Sequence, residues 1–347
     1  MSDLTTRYLG LTLTSPLVAS SSPLGDSVES IVRLEDHGIA AVVLPSLFEE
    51  QIELESMSVD DDLARGADSF AESLSFFPDL KDYNIGPDRY LELIRGAKAR
   101  VEIPVIASLN GVSGGGWIRY ARLMEEAGAD AIELNLYEIA TDPAISGAAV
   151  EQGLLDLVAS VRQSVRIPLA VKLSPFFSAP ANMGRRLDHA GADALVLFNR
   201  FYQPDLAIED QDVVSTLVLS RPEELLLRLH WTAILFGHVG ADLAITGGVH
   251  SARDVVKCVM AGARVAFMAS ALLQNGVEHA GVVLADLRRW LDAHEYASIG
   301  QMCGSMSYRS VPDTSAYERG NYMKVLSSYV LKGGPVAGPP GMGHRRI

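Results

Sequence analysis

One pattern of polar and apolar positions returns five times along the chain: an amphipathic stretch ends on a glycine, and a short, almost wholly apolar run follows. DHGIAAVV (36–43), EAGADAIEL (126–134), HAGADALVL (189–197), HVGADLAIT (238–246) and MAGARVAFM (260–268) all carry it. The glycine accepts the left-handed backbone that closes a helix, and an apolar run without alternation is a strand covered on both faces. Helix end, glycine, strand is the αβ junction of a parallel sheet. The likeness is between single units of supersecondary structure and not between long repeats.

Strand-like runs fall at 17–20, 40–44, 104–109, 131–136, 169–173, 194–198, 243–246 and 265–268. Helical periodicity lies between them, for instance over 27–37, 88–100, 116–127, 148–165 and 221–239. Eight strands in strict alternation with helices predict a closed (β/α)8 TIM barrel, with an open doubly wound sheet as the lesser alternative. Residues 8–14 read as a short hairpin plugging the barrel floor. Two insertions break the spacing, 49–87 after the second strand and 199–222 after the sixth. Both leave carboxyl strand ends, where long ordered loops serve as lids or binding walls. Their rings (Phe70, Phe76, Phe77 and Tyr83; Phe201 and Tyr202) favour walls over solvated loops. The barrel is expected to take up 1–332, and the Pro/Gly-rich stretch 333–347 to be a flexible tail.

Composition narrows the function classes. Of 347 residues, 48% are hydrophobic, which is a folded protein with a large core. The net charge of −14 argues against a nucleic-acid partner or an anionic membrane surface, so an anionic ligand must be held by local dipoles and a few placed cations. No apolar run approaches a membrane span, and the first residues lack a signal-peptide core. Two cysteines, Cys258 and Cys303, carry no metal-ligand spacing and fit a cytoplasmic protein. The eight histidines show no paired spacing, so no metal is expected.

Candidate chemistry collects at carboxyl strand ends. Residues 241–271 read as strand, Gly247-Gly248, a helix over 252–260 capped by Ser251 and closed at Gly262, a second strand, then Ala269-Ser270. Two neighbouring strand ends with small residues and free backbone N–H groups suit a phosphate; a tight turn is the plainer reading of Gly-Gly alone. Lys172 ends the fifth strand inside an apolar run, which costs free energy unless it meets an anion or an electron-rich ring. Asn135 and Asn199 end the fourth and sixth strands, and their amides can read the donors and acceptors of a heterocycle. Glu138, three residues past Asn135, is either a general base or an exposed loop carboxylate.

SPLVASSSP, ASLNG, ELNLYE, VKLSPFF, FNR, ITGGV and MASAL follow one another in an order that resembles the dihydroorotate dehydrogenases, nearest to the soluble class 1 FMN barrels. The resemblance runs through YASIGQMCGSMS. It implies FMN as cofactor and hydride transfer between a dihydropyrimidine-like substrate and flavin, dihydroorotate to orotate in the family. It further implies a cytoplasmic homodimer in pyrimidine biosynthesis. By resemblance, Lys172 meets the flavin's pyrimidine edge and favours the anionic reduced ring. Asn110 joins the cofactor set, Asn135 and Asn199 serve flavin and substrate, and Ser20, Ser21 and Ser22 lie against the ring. Gly247, Gly248, Ala269 and Ser270 hold the phosphate.

Departures fall on the substrate side. The family's Asn-Leu-Ser-Cys-Pro-Asn run is Asn135-Leu136-Tyr137-Glu138-Ile139-Ala140, so Glu138 stands at the catalytic cysteine and Ala140 at the second asparagine. Pro45 stands at a substrate-facing lysine, and Glu72-Ser73-Leu74-Ser75 replaces an Asn-Ser-Met-Gly-like segment. The catalytic pair expected here is Glu138 and Lys172. A different FMN-barrel reaction, or a flavin-binding protein without catalysis, are the competing readings. The sequence names no electron acceptor and holds no cysteine cluster for an iron–sulfur centre.

Overall fold

The computed structural model of the chain describes residues 2–52 and 86–328. Its fold is a (β/α)8 TIM barrel. A hairpin comes first: β1 (Thr6–Tyr8) pairs antiparallel with β2 (Leu11–Leu13), Tyr8 opposite Leu11. Then follow β3 (Leu17–Ala19), β4 (Val42–Phe48), β5 (Val105–Asn110), β6 (Ala131–Asn135), β7 (Leu169–Leu173) and β8 (Ala194–Leu197). A second hairpin, β9 (Asp205–Ala207) with β10 (Asp212–Val214), stands outside the barrel. The strands β11 (Asp242–Thr246) and β12 (Val265–Met268) close the ring in the order β11-β12-β3-β4-β5-β6-β7-β8, every pair parallel.

The strands alternate between two apolar layers. On β6, Ile132 and Leu134 pack outward with the helices, whereas Ala131 joins Val18, Val196 and Phe267 inside the barrel. The two-residue period therefore turns Glu133 and Asn135 inward as well. The first hairpin plugs the floor: Tyr8, Leu9 and Leu13 belong to the inner cluster, and the Tyr8 ring meets Phe267 edge-on at 6.0 Å. Each large side chain so buried contributes roughly 1.5–3 kcal/mol.

Where β4 was expected to stop at 44, it continues through Pro45 to Phe48. A proline has no N–H to give a ladder, and the register of β4 on β5 shifts between Val43 and Ser46, a bulge that lets it stay in a central strand. Tyr90, from the helix Pro87–Lys98, takes up the neighbouring backbone: its hydroxyl accepts from Ser108 N–H at 2.8 Å and donates to Ser108 C=O at 3.3 Å. The expected helix over 221–239 is a 3-10 turn, Pro222–Glu224, and a helix, Leu225–Leu235. It ends where Phe236 turns in against Gly262 and Gly304, whose missing Cβ atoms leave room for its ring.

Met1–Ser310 is one compact unit, and a second begins at Val311, with a 3-10 turn at Thr314–Tyr317 and a short helix at Asn321–Ser327. The expected tail, 333–347, and most of the first insertion (53–85, with Phe70, Phe76, Phe77, Tyr83 and 72–75) lie outside the described residues.

Candidate functional site

Strand register stacks two polar tiers inside the upper barrel. In the lower tier Ser46 pairs with Ser108 and Ser108 with Glu133; in the upper, Asn110 pairs with Asn135 and Asn135 with Lys172. Lys172 reaches down between tiers and its Nζ donates to Glu133 Oε1 at 3.2 Å, the two side chains 8% and 1% exposed. Glu133 Oε2 is buried with no partner among the described residues. Asn199, just past β8, donates through Nδ2 to Asn135 Oδ1 at 2.6 Å, which fixes both amides. Serine hydroxyls continue the polar surface: Ser46 and Ser108 are 2.8 Å apart, Ser21 and Ser46 3.4 Å, and Ser20 lies 3.2 Å from Thr246.

Beside these tiers are the two small-residue turns. Gly247 (φ +89°) and Gly248 (φ +80°) both need the left-handed backbone. A Cβ at Gly248 would stand 2.5 Å from the amide nitrogen of Leu225, and one at Gly247 would stand 2.9 Å from the Arg228 guanidinium. The backbone there closes on the start of a helix and on a buried cation. Arg228 is buried and donates to two carbonyls, Thr246 at 2.5 Å and Glu224 at 2.6 Å; burial pulls its pKa down, Glu224 opposing and Arg200 adding to the fall. Ser220, returning from the second insertion, completes the turn. Its hydroxyl accepts from Gly248 N–H at 3.3 Å and donates to Ser270 Oγ at 2.8 Å. His250 holds Ser220 C=O through Nε2 at 2.9 Å.

The mouth is aromatic on the side of β6 to β8. Tyr137 stacks on Phe201 with centroids 5.1 Å apart, and Phe176 meets Phe201 edge-on at 4.9 Å. The Tyr137 hydroxyl accepts from Tyr202 N–H at 3.1 Å, tying the loop after β6 to the loop after β8. Glu138 follows Tyr137, half-buried and without a hydrogen bond or ion pair among the described residues, and burial raises its pKa. Opposite, Glu49 is buried at the end of β4, where it accepts from Val112 N–H at 2.9 Å and from the Ser113 hydroxyl.

Of the expected site residues, Ser20, Ser21, Lys172, Asn199, Gly247, Gly248, Ala269 and Ser270 line one cleft. Asn135 joins it through Asn199, and Asn110 sits beside Asn135 in the same tier. Ser22 and Glu138 do not line it: Ser22 is buried behind, ahead of the 3-10 turn Pro23–Gly25, its hydroxyl unpartnered. The second insertion is a wall only at its two ends, Phe201 and Tyr202 first and Ser220 last; between them Leu206, Ile208 and Val213 on or beside the β9–β10 hairpin are exposed. Sequence reading missed Glu133, Ser220 and Arg228. Glu133 alone carried a signal, a charged residue inside the apolar run AIELN on the same strand face as Asn135.

No family model matches the chain. Among known proteins it is 28% identical over 312 residues to the catalytic subunit of dihydroorotate dehydrogenase B (NAD(+)) of Thermoplasma acidophilum, covering 88% of this chain and 99% of the relative. The same subunit of Desulforudis audaxviator is 26% identical over 311 residues, 85% of this chain and 95% of the relative. A putative dihydroorotate dehydrogenase A (fumarate) of Aeropyrum pernix is 28% identical over 210 residues, 58% of this chain and 67% of the relative.

Proposed function

From its place in the dihydroorotate dehydrogenase-like family, we propose that this chain is an FMN-dependent oxidoreductase acting on a CH–CH bond of a dihydropyrimidine-like substrate. The observation that carries the reading is one cleft lined at once by Lys172, Asn199 and the turns Gly247-Gly248 and Ala269-Ser270. The residues fit the cofactor. At Gly248 any side chain would strike the Leu225 backbone, so a flat anion-accepting turn is kept open. Among the described residues its N–H makes one long bond, to the Ser220 hydroxyl at 3.3 Å, which a phosphate oxygen can replace. Gly248 N–H and the hydroxyls of Ser220 and Ser270 are the donors for the phosphate, with Arg228 supplying positive charge from behind the turn. Bound FMN would supply the two-electron acceptor for the substrate's hydride.

The chain's own residues then divide the work. Lys172, Asn135 and Asn199 would hold the ring's pyrimidine edge, and among the described residues the amide pair leaves Asn199 Oδ1 and both N–H groups of Asn135 Nδ2 to read a substrate. The Tyr137–Phe201–Phe176 wall excludes water from one side of the mouth. Glu138, on the loop at the mouth and outside the cleft's lining, is the base we assign to the proton of a substrate seated over the cleft, a carboxylate made more basic by burial. The reading extends to a cytoplasmic enzyme, supported by two free cysteines, and to a homodimer, supported by the family resemblance. Among the described residues no helix is long and apolar enough to cross a membrane.

The test is an FMN titration of the purified protein followed by anaerobic addition of dihydroorotate. The account expects stoichiometric, tight FMN and loss of its visible absorbance. A protein that takes up no FMN contradicts it.

A further inference from the structure

The ion pair in the barrel core is unexpected for its position. Of the inward residues around it, Ala131, Ala170, Val196 and Phe267 are apolar and Ser46, Ser108 and Asn135 are polar but uncharged, a set that packs without charge. Burying a carboxylate and an ammonium together carries a desolvation cost that apolar neighbours of the same volume avoid, so the pair is poorly explained as a stabilising device. Its geometry is lopsided as well. Lys172 Nζ lies 3.2 Å from Glu133 Oε1 and is the carboxylate's sole hydrogen-bond donor among the described residues, since Oε2 has none. The Tyr8 hydroxyl is also buried without a partner among the described residues; burial first, then the charge of Glu133 and of Asp242, raises its pKa, so the phenol stays neutral and does not dilute the pair. The charge of Glu133 is thus committed to one lysine, and that lysine lines the cleft.

We propose that Glu133 is a positioning residue that sets how much positive charge Lys172 delivers to the flavin, and through it the flavin's reduction potential. The inference rests on the FMN reading above. Reduction of bound FMN would put negative charge on the ring that Lys172 would hold. With Glu133 in place, the lysine already has a counter-ion, and its attraction for the reduced ring is damped. Without the carboxylate, the reduced ring becomes the lysine's only anionic partner, and in so dry a setting the coupling is large. Glu133 also draws the ammonium down toward the lower tier, limiting how closely it approaches the cleft.

The test compares three proteins, each loaded with FMN: wild type, Glu133→Gln and Glu133→Gln with Lys172→Met. The first variant keeps shape; the double variant leaves no lone buried charge and guards against a folding failure of the single one. Reduction potentials are read by equilibration with redox dyes, and FMN content by absorbance. In E133Q the preference for reduced over oxidised flavin is expected to rise by about tenfold, about 30 mV for a two-electron couple. The double variant is expected below wild type, so the order is double variant, wild type, E133Q. An E133Q potential equal to or below that of wild type overturns the inference, and so does a double variant above wild type. If E133Q does not fold, Glu133→Asp, whose shorter carboxylate loosens the pair, takes its place and is expected above wild type; a potential at or below that of wild type overturns the inference. Wild-type protein that binds no FMN overturns the functional reading and this inference together. Wild type that binds FMN while E133Q leaves the potential unmoved overturns this inference alone.

Discussion

The two halves of the barrel's upper rim differ in how they are built. At β11 and β12, small residues, left-handed glycines and a helix start pack so closely that Gly248 has no room for a single added carbon. At β4 to β6 the rim is held by side chains instead: Glu49 grips the loop after β5, and Tyr137 is tied to Phe201 and Tyr202. A site made of backbone tolerates few sequences; a site made of side chains can be re-equipped for another substrate without moving a strand. On the proposed function, the backbone-built half is the one that takes the phosphate, and the half built of side chains is the one that carries Pro45, Tyr137, Glu138 and Ala140.

The comparison can be broken at each half, and the largest effect belongs to the rigid one. Gly248→Leu forces a side chain onto the Leu225 backbone, so FMN retention should be lost while circular dichroism still reports a folded barrel. A variant purifying as yellow as wild type places the phosphate elsewhere. Next is the adaptable half. Glu138→Gln should slow anaerobic flavin reduction by about a hundredfold or more with FMN still bound, the scale of a general base. The sign of its pH dependence follows from burial: the basic form exists above its raised pKa, so wild-type reduction should fall as pH drops through that pKa, which lies above the ordinary value of a glutamate. In E138Q that acidic limb should vanish; its persistence assigns the base to another group.

Smaller effects probe the join between the halves. Lys172→Ala removes the cation facing the cleft and should lower the flavin's potential in dye equilibration, whereas an unchanged value would remove Lys172 from the flavin's edge. Ser220→Ala deletes one hydroxyl from the turn and should weaken FMN binding about fivefold in a fluorescence titration, close to one hydrogen bond of about 1 kcal/mol. Unaltered affinity would make Ser220 only a loop anchor.

What the sequence made legible follows the same division. The helix–glycine–strand junction is local, so all eight strands and the floor hairpin could be found, and Gly-Gly beside Ala-Ser was visible because both lie within 241–271. Ser220 was not, because its role depends on where a loop leaving Asn199 returns, and no local pattern encodes that. Arg228 looked like an ordinary residue of an amphipathic helix; only packing shows it beneath Gly247. β4 ran past Pro45 because a bulge and the Tyr90 hydroxyl from a later helix compensate the missing N–H, a tertiary effect that overrides the proline's local signal. The place of Glu138 in the chain was plain, but its orientation depends on the aromatic wall that Tyr137 makes with Phe201.

The central claim is an intact flavin site joined to altered substrate chemistry. The most direct measurement is the anaerobic reductive half-reaction of the FMN-loaded protein, followed by stopped flow over a panel of dihydropyrimidines and enones that includes dihydroorotate. The account predicts that at least one dihydropyrimidine bleaches the bound flavin rapidly and that E138Q abolishes this rapid phase. Flavin that dithionite reduces but every member of the panel leaves oxidised would contradict it.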